Sequence, residues 1–199
     1  MSRDTFVEQA RRAQIVAAAV DVLAEEGFKA ATIARIAERA GVSKGLVLYH
    51  FADKADLMRQ TLFNTFERIT SDVAEAVTPN AALPELLRDV VRTTIINWAP
   101  QTKPRRAIEQ IIINAGIAST PGDATISFTE RESLYAAHEK LFRAGQDAGL
   151  FRAFDTRAMA VAYQGAIDAT LKYLDHHPEV DVEAHADQLA DLLLAAVTA

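Results

Sequence analysis

The chain of 199 residues contains no cysteine. Disulfide bridges, thiol nucleophiles and cysteine-ligated metal centres are therefore excluded. No apolar run approaches the roughly 20 residues that a membrane-spanning helix needs. The first twenty residues carry charges up to Arg12 and lack a small-residue cleavage pattern, so they predict no secretory signal. We expect a soluble, cytoplasmic protein without a membrane partner.

Proline and glycine are also scarce, with six and eight residues in the chain. Apolar side chains recur at three- and four-residue spacing, which is typical of amphipathic helices, and no stretch alternates as a strand does. The pattern predicts an all-α fold of nine helices. We expect breaks at residues 78–80 and in a loop over residues 116–123, because both stretches contain proline.

Residues that favour helix ends stand where the first apolar stripes begin and end. One stripe stops at Gly27, Thr32 opens the next, and Gly41 closes it. Ser43 then opens a short helix that is predicted to reach Phe51. Short polar side chains favour the start of a helix, and glycine favours the residue after its end. Residues 32–51 therefore predict a helix, a tight turn and a second helix.

The second of these helices, KGLVLYHF at residues 44–51, has two different faces. At about 100° per residue, Val47, Leu48 and Phe51 share one side and are predicted to pack inward. Gly45, Leu46 and Tyr49 are left on the opposite side. In a helix-turn-helix, the second helix enters the major groove of DNA.

Each outward residue has a use if a duplex covers this face. Gly45 allows close approach, Lys44 can reach a guanine edge or a phosphate, and the Tyr49 hydroxyl can donate to a phosphate. Leu46 can pack on a thymine methyl, and His50 fits internal packing as well as a phosphate contact. The predicted DNA contacts are Thr32, Ser43, Lys44, Gly45, Leu46, Tyr49, His50 and Lys54.

The formal net charge of −6 does not by itself favour a nucleic-acid partner. Its distribution matters more than its sum. Residues 28–54 hold five basic against two acidic side chains, a balance of +3. The positive charge is therefore concentrated in the segment that carries the predicted DNA contacts.

The stretch TIARIAERAGVSKGLVLYHFADKADL, residues 32–57, resembles the DNA-binding signature of the tetracycline-repressor-like (TetR) family. The matching residues are Thr32, Ala37, Gly41, Val42, Ser43, Gly45, Tyr49, His50, Phe51, Lys54 and Leu57. Leu48 departs from the signature, because members commonly have tyrosine there. The resemblance implies a homodimeric transcriptional regulator, usually a repressor, that releases operator DNA when a small-molecule effector binds.

Together, the resemblance and the helix pattern predict two domains. Residues 1–58 are expected to form a three-helix helix-turn-helix DNA-binding domain. A fourth helix joins it to a helical ligand-binding and dimerisation domain over residues 59–199.

Residues 156–174, TRAMAVAYQGAIDATLKYL, are apolar or small on nearly every side of the predicted eighth helix. Such a helix is buried on more than one side. We expect helices eight and nine to pair with their copies across a two-fold axis, which also predicts a palindromic operator. The alternative is a central helix of a monomer. The predicted dimer contacts are Ala162, Gly165, Ala166, Ala169, Leu189, Leu193 and Val197.

Aromatic or amide side chains on otherwise apolar helix faces are candidates for an effector site, since such sites are mostly apolar with a few polar groups. They predict a largely apolar or aromatic effector. Each of them also fits an ordinary core or surface position. The candidates are Trp98, Asn114, Tyr135, His138, Phe142, Tyr163 and Gln164.

An enzyme is the competing class, and three histidines raise the possibility of a metal site. His176 and His177 lie beside Asp175 and Glu179 at a predicted helix end, with His185 further on. Solvated polar residues are usual at such an end. No helical metalloprotease pattern, glycine-rich phosphate loop or nucleophile elbow is present. We predict no catalytic residue, no metal and no cofactor; an activator of the same fold and a helical interaction module remain alternatives.

Overall fold

The computed structural model describes residues 3–76, 81–115 and 125–198. Within these ranges the chain forms nine α-helices and no strand, which confirms the all-helical prediction. The helices are α1 (Arg3–Ala30), α2 (Ile33–Ala40), α3 (Lys44–His50), α4 (Lys54–Ala76), α5 (Leu83–Trp98), α6 (Thr102–Ala115), α7 (Thr125–Asp147), α8 (Thr156–His176) and α9 (Val182–Val197). The breaks predicted at 78–80 and 116–123 lie outside the described residues. In the described part of the chain, no helix is long and apolar enough to cross a membrane.

Side-chain caps begin several helices where the sequence predicts them. Thr32 and Ser43 each accept a hydrogen bond from the backbone N–H three residues on, at 3.2 and 3.1 Å. Asp155 does the same at the start of α8, at 2.7 Å. Gly41 ends α2 in the left-handed region, with φ 65°, where a residue with a Cβ atom would be strained. These local features fix the turn between α2 and α3.

The end of α1 differs from the prediction. The helix does not stop at Gly27 but bends there, with φ 83° and ψ 171°, and continues to Ala30. Glycine adopts this conformation without a steric penalty. Gly27 is therefore a kink within α1 rather than its cap.

The first compact unit comprises Met1–Glu67 and Lys103–Phe128. Its core is apolar and draws on α1, α2, α3, α4 and α6. The largest fully buried side chains in this core are Ile15, Leu23, Ile36, Phe51, Leu57, Leu62 and Ile111. The helix-turn-helix is thus held by two helices from its own segment and by α6 from later in the chain.

The second compact unit comprises Arg68–Thr102 and Thr129–Ala199. Its core is also apolar, with Leu87 and Ile95 of α5 and Tyr163 and Ile167 of α8 among the buried side chains. Ion pairs accompany the packing of α5 on α9; for example, Arg92 Nε donates to an Asp187 carboxylate oxygen at 2.9 Å.

The predicted division into domains between residues 58 and 59 stays a prediction, and the compact units are bounded differently. The first unit extends to Glu67, and α6 returns to it, because Ala107 and Ile111 pack into the core of the first unit. A helical stripe in the sequence gives the buried face of α6 but not the helices against which that face packs.

Candidate nucleic-acid interface

Helix α3 buries one face and exposes the other. Val47 and Phe51 are 0% and 1% exposed in the core of the first unit, as predicted. Tyr49 is 76% exposed, and Lys44 and Gly45 are exposed with it. Leu46 is half-buried at the edge of this face. The helix therefore exposes a cation, a glycine and a phenol to solvent.

The other two residues of α3 are Leu48 and His50, and only Leu48 departs from its predicted placement. Leu48, predicted to pack inward, is 44% exposed. His50 is buried instead, and its ring lies edge-on to the rings of Tyr49 and Phe51. On a helix, His50 and Leu48 lie on opposite flanks of Val47, and the buried face takes in His50. We therefore correct the prediction for Leu48, which faces solvent; His50 packs internally, one of its two predicted roles, and its phosphate contact stays a prediction.

Gly45 is not needed by the fold itself. A Cβ atom added there would meet only Ser43 Oγ, at 3.9 Å, which is ordinary van der Waals contact. Inside a helix, glycine is less favourable than alanine by about 1 kcal/mol. The fold itself would therefore accept a larger residue than glycine at this position.

The hydroxyls of Thr32 and Ser43 lie exposed at the starts of α2 and α3. Both accept a backbone hydrogen bond as caps, and a hydroxyl that accepts can still donate its own hydrogen. Each can therefore donate to a phosphate oxygen without giving up its cap. This geometry fits the predicted contacts.

Two side chains of α1 hold the carboxyl ends of the helix-turn-helix. Arg12 donates to the backbone carbonyl of His50, at the end of α3, across 2.7 Å. Gln14 donates to the carbonyl of Ala40, at the end of α2, also across 2.7 Å. The final carbonyls of a helix have no partner within it, so these bonds satisfy groups that would otherwise need water. Arg12 and Gln14 were not among the predicted site residues.

Much of the positive charge counted in the sequence is paired within the first unit. Arg35 pairs with Glu26 and Glu38, and Arg39 pairs with Glu25 and Glu26. Lys103 of α6 joins this network at Glu25, 2.7 Å away. Hydrogen bonds from Lys103 and then Arg39 lower the pKa of Glu25 to about 2, and those from Arg35 lower the pKa of Glu26.

Lys44 and Lys29 are exposed, and neither forms an ion pair with any residue that the structure describes. The charge balance of residues 28–54 therefore overstates the positive charge available to a phosphate, because the acidic residues of α1 that pair with Arg35 and Arg39 were not counted in it. Lys44, on the exposed face of α3, is the cation best placed for DNA.

Lys54 is also engaged internally. Its ammonium donates to the carbonyl of Phe28 at 2.8 Å and lies 4.2 Å from the centre of the Phe28 ring. Burial lowers the pKa of Lys54. The backbone N–H of Phe28 is bound in turn by Gln110 of α6, at 3.2 Å. Lys54 thus ties α4 to the kink of α1, and its predicted phosphate contact stays a prediction.

The predicted effector residues do not all lie in one unit. Asn114 is on α6 in the first unit, where it donates to the Gln110 carbonyl at 2.8 Å. Trp98 and Gln164 are in the second unit; Trp98 is buried, and Gln164 donates to Asp168 at 2.8 Å.

The structure brings together three of the remaining candidates. The ring centre of Tyr163 lies 4.7 Å from that of His138 and 5.6 Å from that of Phe142, both in edge-on contact. Tyr135 lies under the guanidinium of Arg157, 5.1 Å away. Burial lowers the pKa of His138 to about 4 and raises that of the Tyr163 phenol. Both side chains are therefore uncharged at neutral pH.

The predicted dimer contacts lie on α8 and α9, and all of them except Val197 are exposed or half-buried. Ala162, Gly165 and Ala169 are exposed along one side of α8, and Val161 and Tyr173 extend this surface. Ala166, Leu189 and Leu193 are half-buried. Val197 is buried in the core of its own unit, so we remove it from the predicted contacts.

Near the end of α8, the ring of Tyr173 stacks with two histidine rings. Its centre lies 4.1 Å from that of His177 and 5.7 Å from that of His185, which belongs to α9. His177 also pairs with Glu179 at 3.0 Å. Among the described residues, no group of three or more histidines and carboxylates is arranged to hold a metal ion.

Comparison with known proteins finds relatives of the N-terminal segment. Residues 15–61 match the family model described as bacterial regulatory proteins, tetR family. The HTH-type transcriptional regulator BetI of Klebsiella pneumoniae (strain 342) is 43% identical over 67 residues, which are 34% of this chain and 32% of that protein. The match thus spans about a third of the length of the curated relatives.

Solved structures share the fold over nearly the whole chain. The fatty acid degradation regulator FadR from Bacillus halodurans has a TM-score of 0.78 at 22% identity, covering 92% of this chain and 94% of that one. A TetR family transcription regulator from Marinobacter aquaeolei VT8 has a TM-score of 0.76 at 18% identity, covering 99% of both chains. The names of both proteins describe regulators, and at these identities the likeness shows the shared fold.

Proposed function

We propose that the chain, whose residues 15–61 match the model of the tetR family of bacterial regulatory proteins, is a transcriptional repressor that binds a palindromic operator as a homodimer. A small effector that binds the second unit releases the operator. The single observation that carries the proposal is the exposure of Lys44, Gly45 and Tyr49 on α3, above a buried Val47 and Phe51.

Contact with DNA is supported by the chemistry of this exposed face. Lys44 can reach a guanine edge or a phosphate, and Tyr49 and Ser43 can donate to phosphates. Gly45 leaves room for the groove wall. Leu46, half-buried at the edge of this face, is available to a thymine methyl group. Since the helix is held at both ends by caps, these groups are preorganised for binding.

A homodimer is supported by the exposed surface of small and apolar residues on α8. Ala162, Gly165 and Ala169 let a second backbone approach, and Val161 and Tyr173 supply exposed apolar area. A homodimer carries two copies of α3. In helix-turn-helix dimers the two recognition helices are one DNA turn apart, about 34 Å, or a multiple of it.

Release by an effector requires that the effector bind one conformation better than the other. Helix α4 runs without interruption from Lys54, which is bound to the α1 kink, to Ala76 in the second unit. We infer that a shift of α4 on effector binding changes the spacing of the two α3 helices. Activation of transcription by the same fold is the alternative outcome.

Selection of random duplex DNA on the purified protein tests the proposal. We expect enriched palindromes with half-sites one helical turn apart, and affinity that falls steeply with salt because phosphate neutralisation releases counterions. A selection that enriches no sequence, with binding that salt does not weaken, would reject the regulator. In cells, a reporter gene behind the enriched site separates repression from activation.

A further inference from the structure

The middle of α8 contains a buried hydroxyl without a partner. Tyr163 is 1% exposed, and its phenolic oxygen has no hydrogen-bond partner among the residues that the structure describes. The Nδ1 atom of His138, on α7, is also buried and likewise has no hydrogen-bond partner among these residues. The ring centre of His138 lies 4.7 Å from that of Tyr163. Two unsatisfied polar atoms therefore occur on neighbouring rings in the second unit.

Unpartnered polar atoms of this kind are costly to a folded protein, because they lose water on folding and gain nothing in return. A phenylalanine at position 163 would fill the same space without the cost. The hydroxyl contributes to the molecule only when something binds it. Buried polar groups without a protein partner are accordingly candidates for ligand recognition.

The surroundings of the pair are aromatic. Phe142 lies edge-on to Tyr163, with ring centres 5.6 Å apart, and Phe154 lies edge-on to Phe142, with ring centres 5.8 Å apart. Phe151 belongs to the same core and also packs against the ring of Phe142. A ligand that reaches Tyr163 therefore contacts mainly aromatic rings, and its polar contacts are the Tyr163 hydroxyl and His138 Nδ1.

We infer that the effector of the proposed regulator is an uncharged, largely apolar molecule with one terminal oxygen, which binds the hydroxyl of Tyr163 and Nδ1 of His138. This inference rests on the proposed function and names the chemical class of its effector. The Tyr163 hydroxyl donates to the oxygen. His138 Nδ1 accepts from a ligand hydroxyl or donates to a ligand carbonyl, depending on its tautomer.

Burial disfavours charge at this corner, whether on the protein or on the ligand. Desolvation keeps His138 neutral and Tyr163 protonated at physiological pH. The same desolvation acts against a bound carboxylate or ammonium group, which would leave water without an opposite charge in return. An alcohol, ketone or amide fits where an ion does not.

The first test needs no ligand. Tyr163→Phe removes only the hydroxyl, so the unliganded variant should melt at the wild-type temperature or a few degrees above it. Tyr49→Phe, the same change at an exposed ring of α3, is the control and should leave the melting temperature of the DNA-free protein unchanged. A Tyr163→Phe protein that melts several degrees lower would overturn the inference, because the hydroxyl would then have a partner within the fold.

The second test uses three probes with one alkyl chain: 1-octanol, octanoate and octylamine at neutral pH. We expect 1-octanol to raise the melting temperature of the wild type more than either ion does, and Tyr163→Phe to lose at least half of that rise. Equal shifts in both proteins, a larger shift with an ion, or no shift with 1-octanol would each contradict the inference.

A measurement of operator binding distinguishes failure of this inference from failure of the proposed function. Without a probe, Tyr163→Phe should bind operator DNA as the wild type does. Loss of DNA binding by the wild type itself would count against the regulator, whereas a failed probe series with intact DNA binding would count only against the effector class.

Discussion

The guanidinium of Arg12 lies at the end of α3: it donates to the carbonyl of His50 across 2.7 Å and lies 4.7 Å from the centre of the Phe51 ring. One side chain of α1 thus fixes both the last carbonyl of α3 and the aromatic residue that anchors this helix. Orientation of the exposed face of α3 depends on a contact made 38 positions away in the chain.

We expect Arg12→Ala to lower both stability and DNA affinity. A hydrogen bond with a charged donor contributes about 1.5–3 kcal/mol, and its loss leaves the end of α3 free to fray. Arg106→Ala, which removes the same charge from an exposed site on α6, is the control. Thermal unfolding and fluorescence anisotropy with operator DNA measure the two effects. If Arg12→Ala matched Arg106→Ala in both, Arg12 would have no positioning role.

Gly145→Ala should destabilise the second unit. A Cβ atom added at Gly145 would overlap the ring of Phe151, which is buried and backed by Phe142. Overpacking of this kind costs about 1–3 kcal/mol. Chemical denaturation gives the change, with Gly45→Ala as the matched control, because an added Cβ there meets only Ser43 Oγ at 3.9 Å. Equal stability of the two variants would mean that Phe151 moves aside freely.

Gly165→Ala tests the proposed dimer surface. In the single chain, nothing lies within 4 Å of a Cβ atom added there, so helix propensity alone predicts a gain of about 1 kcal/mol. If a second copy packs on this side of α8, the added methyl group should instead weaken association at least ten-fold, or about 1.4 kcal/mol. Sedimentation equilibrium distinguishes these outcomes. A dimer as tight as that of the wild type would exclude Gly165 from the interface.

The pH dependence of stability should carry the signature of His138. Burial lowers its pKa from 6.5 to about 4, so between these values the unfolded chain binds a proton that the folded chain does not. Stability is therefore lost as pH falls from about 6.5 towards 4. His138→Phe should lose less stability than the wild type between pH 7 and pH 5, by roughly 2 kcal/mol. Parallel pH curves for the two proteins would contradict the assignment.

The sequence was sufficient for features whose causes are local. Thr32, Gly41 and Ser43 set the ends of their helices through bonds to residues three or four positions away. The inward placement of Val47 and Phe51 follows from helical spacing. In contrast, Leu48 was predicted to belong to the buried face of α3 but is exposed. Helical spacing predicts how wide a buried face is but not which residue lies at its centre.

Contacts between distant segments could not be predicted in this way. Arg12 reaches His50, and Gln110 reaches Phe28 across 82 positions. The partners of Arg35 and Arg39 lie on α1, outside the window in which their charges were counted. The Tyr163 hydroxyl lacks a hydrogen-bond partner among the described residues. Helical spacing in the sequence does not show which polar groups lie near a buried side chain.

The central claim is that the exposed face of α3 enters a DNA groove, and Gly45→Ala tests it most directly. The fold accommodates the added methyl group, so the variant should unfold at or above the wild-type temperature. Fluorescence anisotropy with the selected operator should nevertheless give an affinity at least ten-fold lower, since the helix can no longer approach the duplex closely. Wild-type affinity in a fully folded Gly45→Ala protein would contradict the claim.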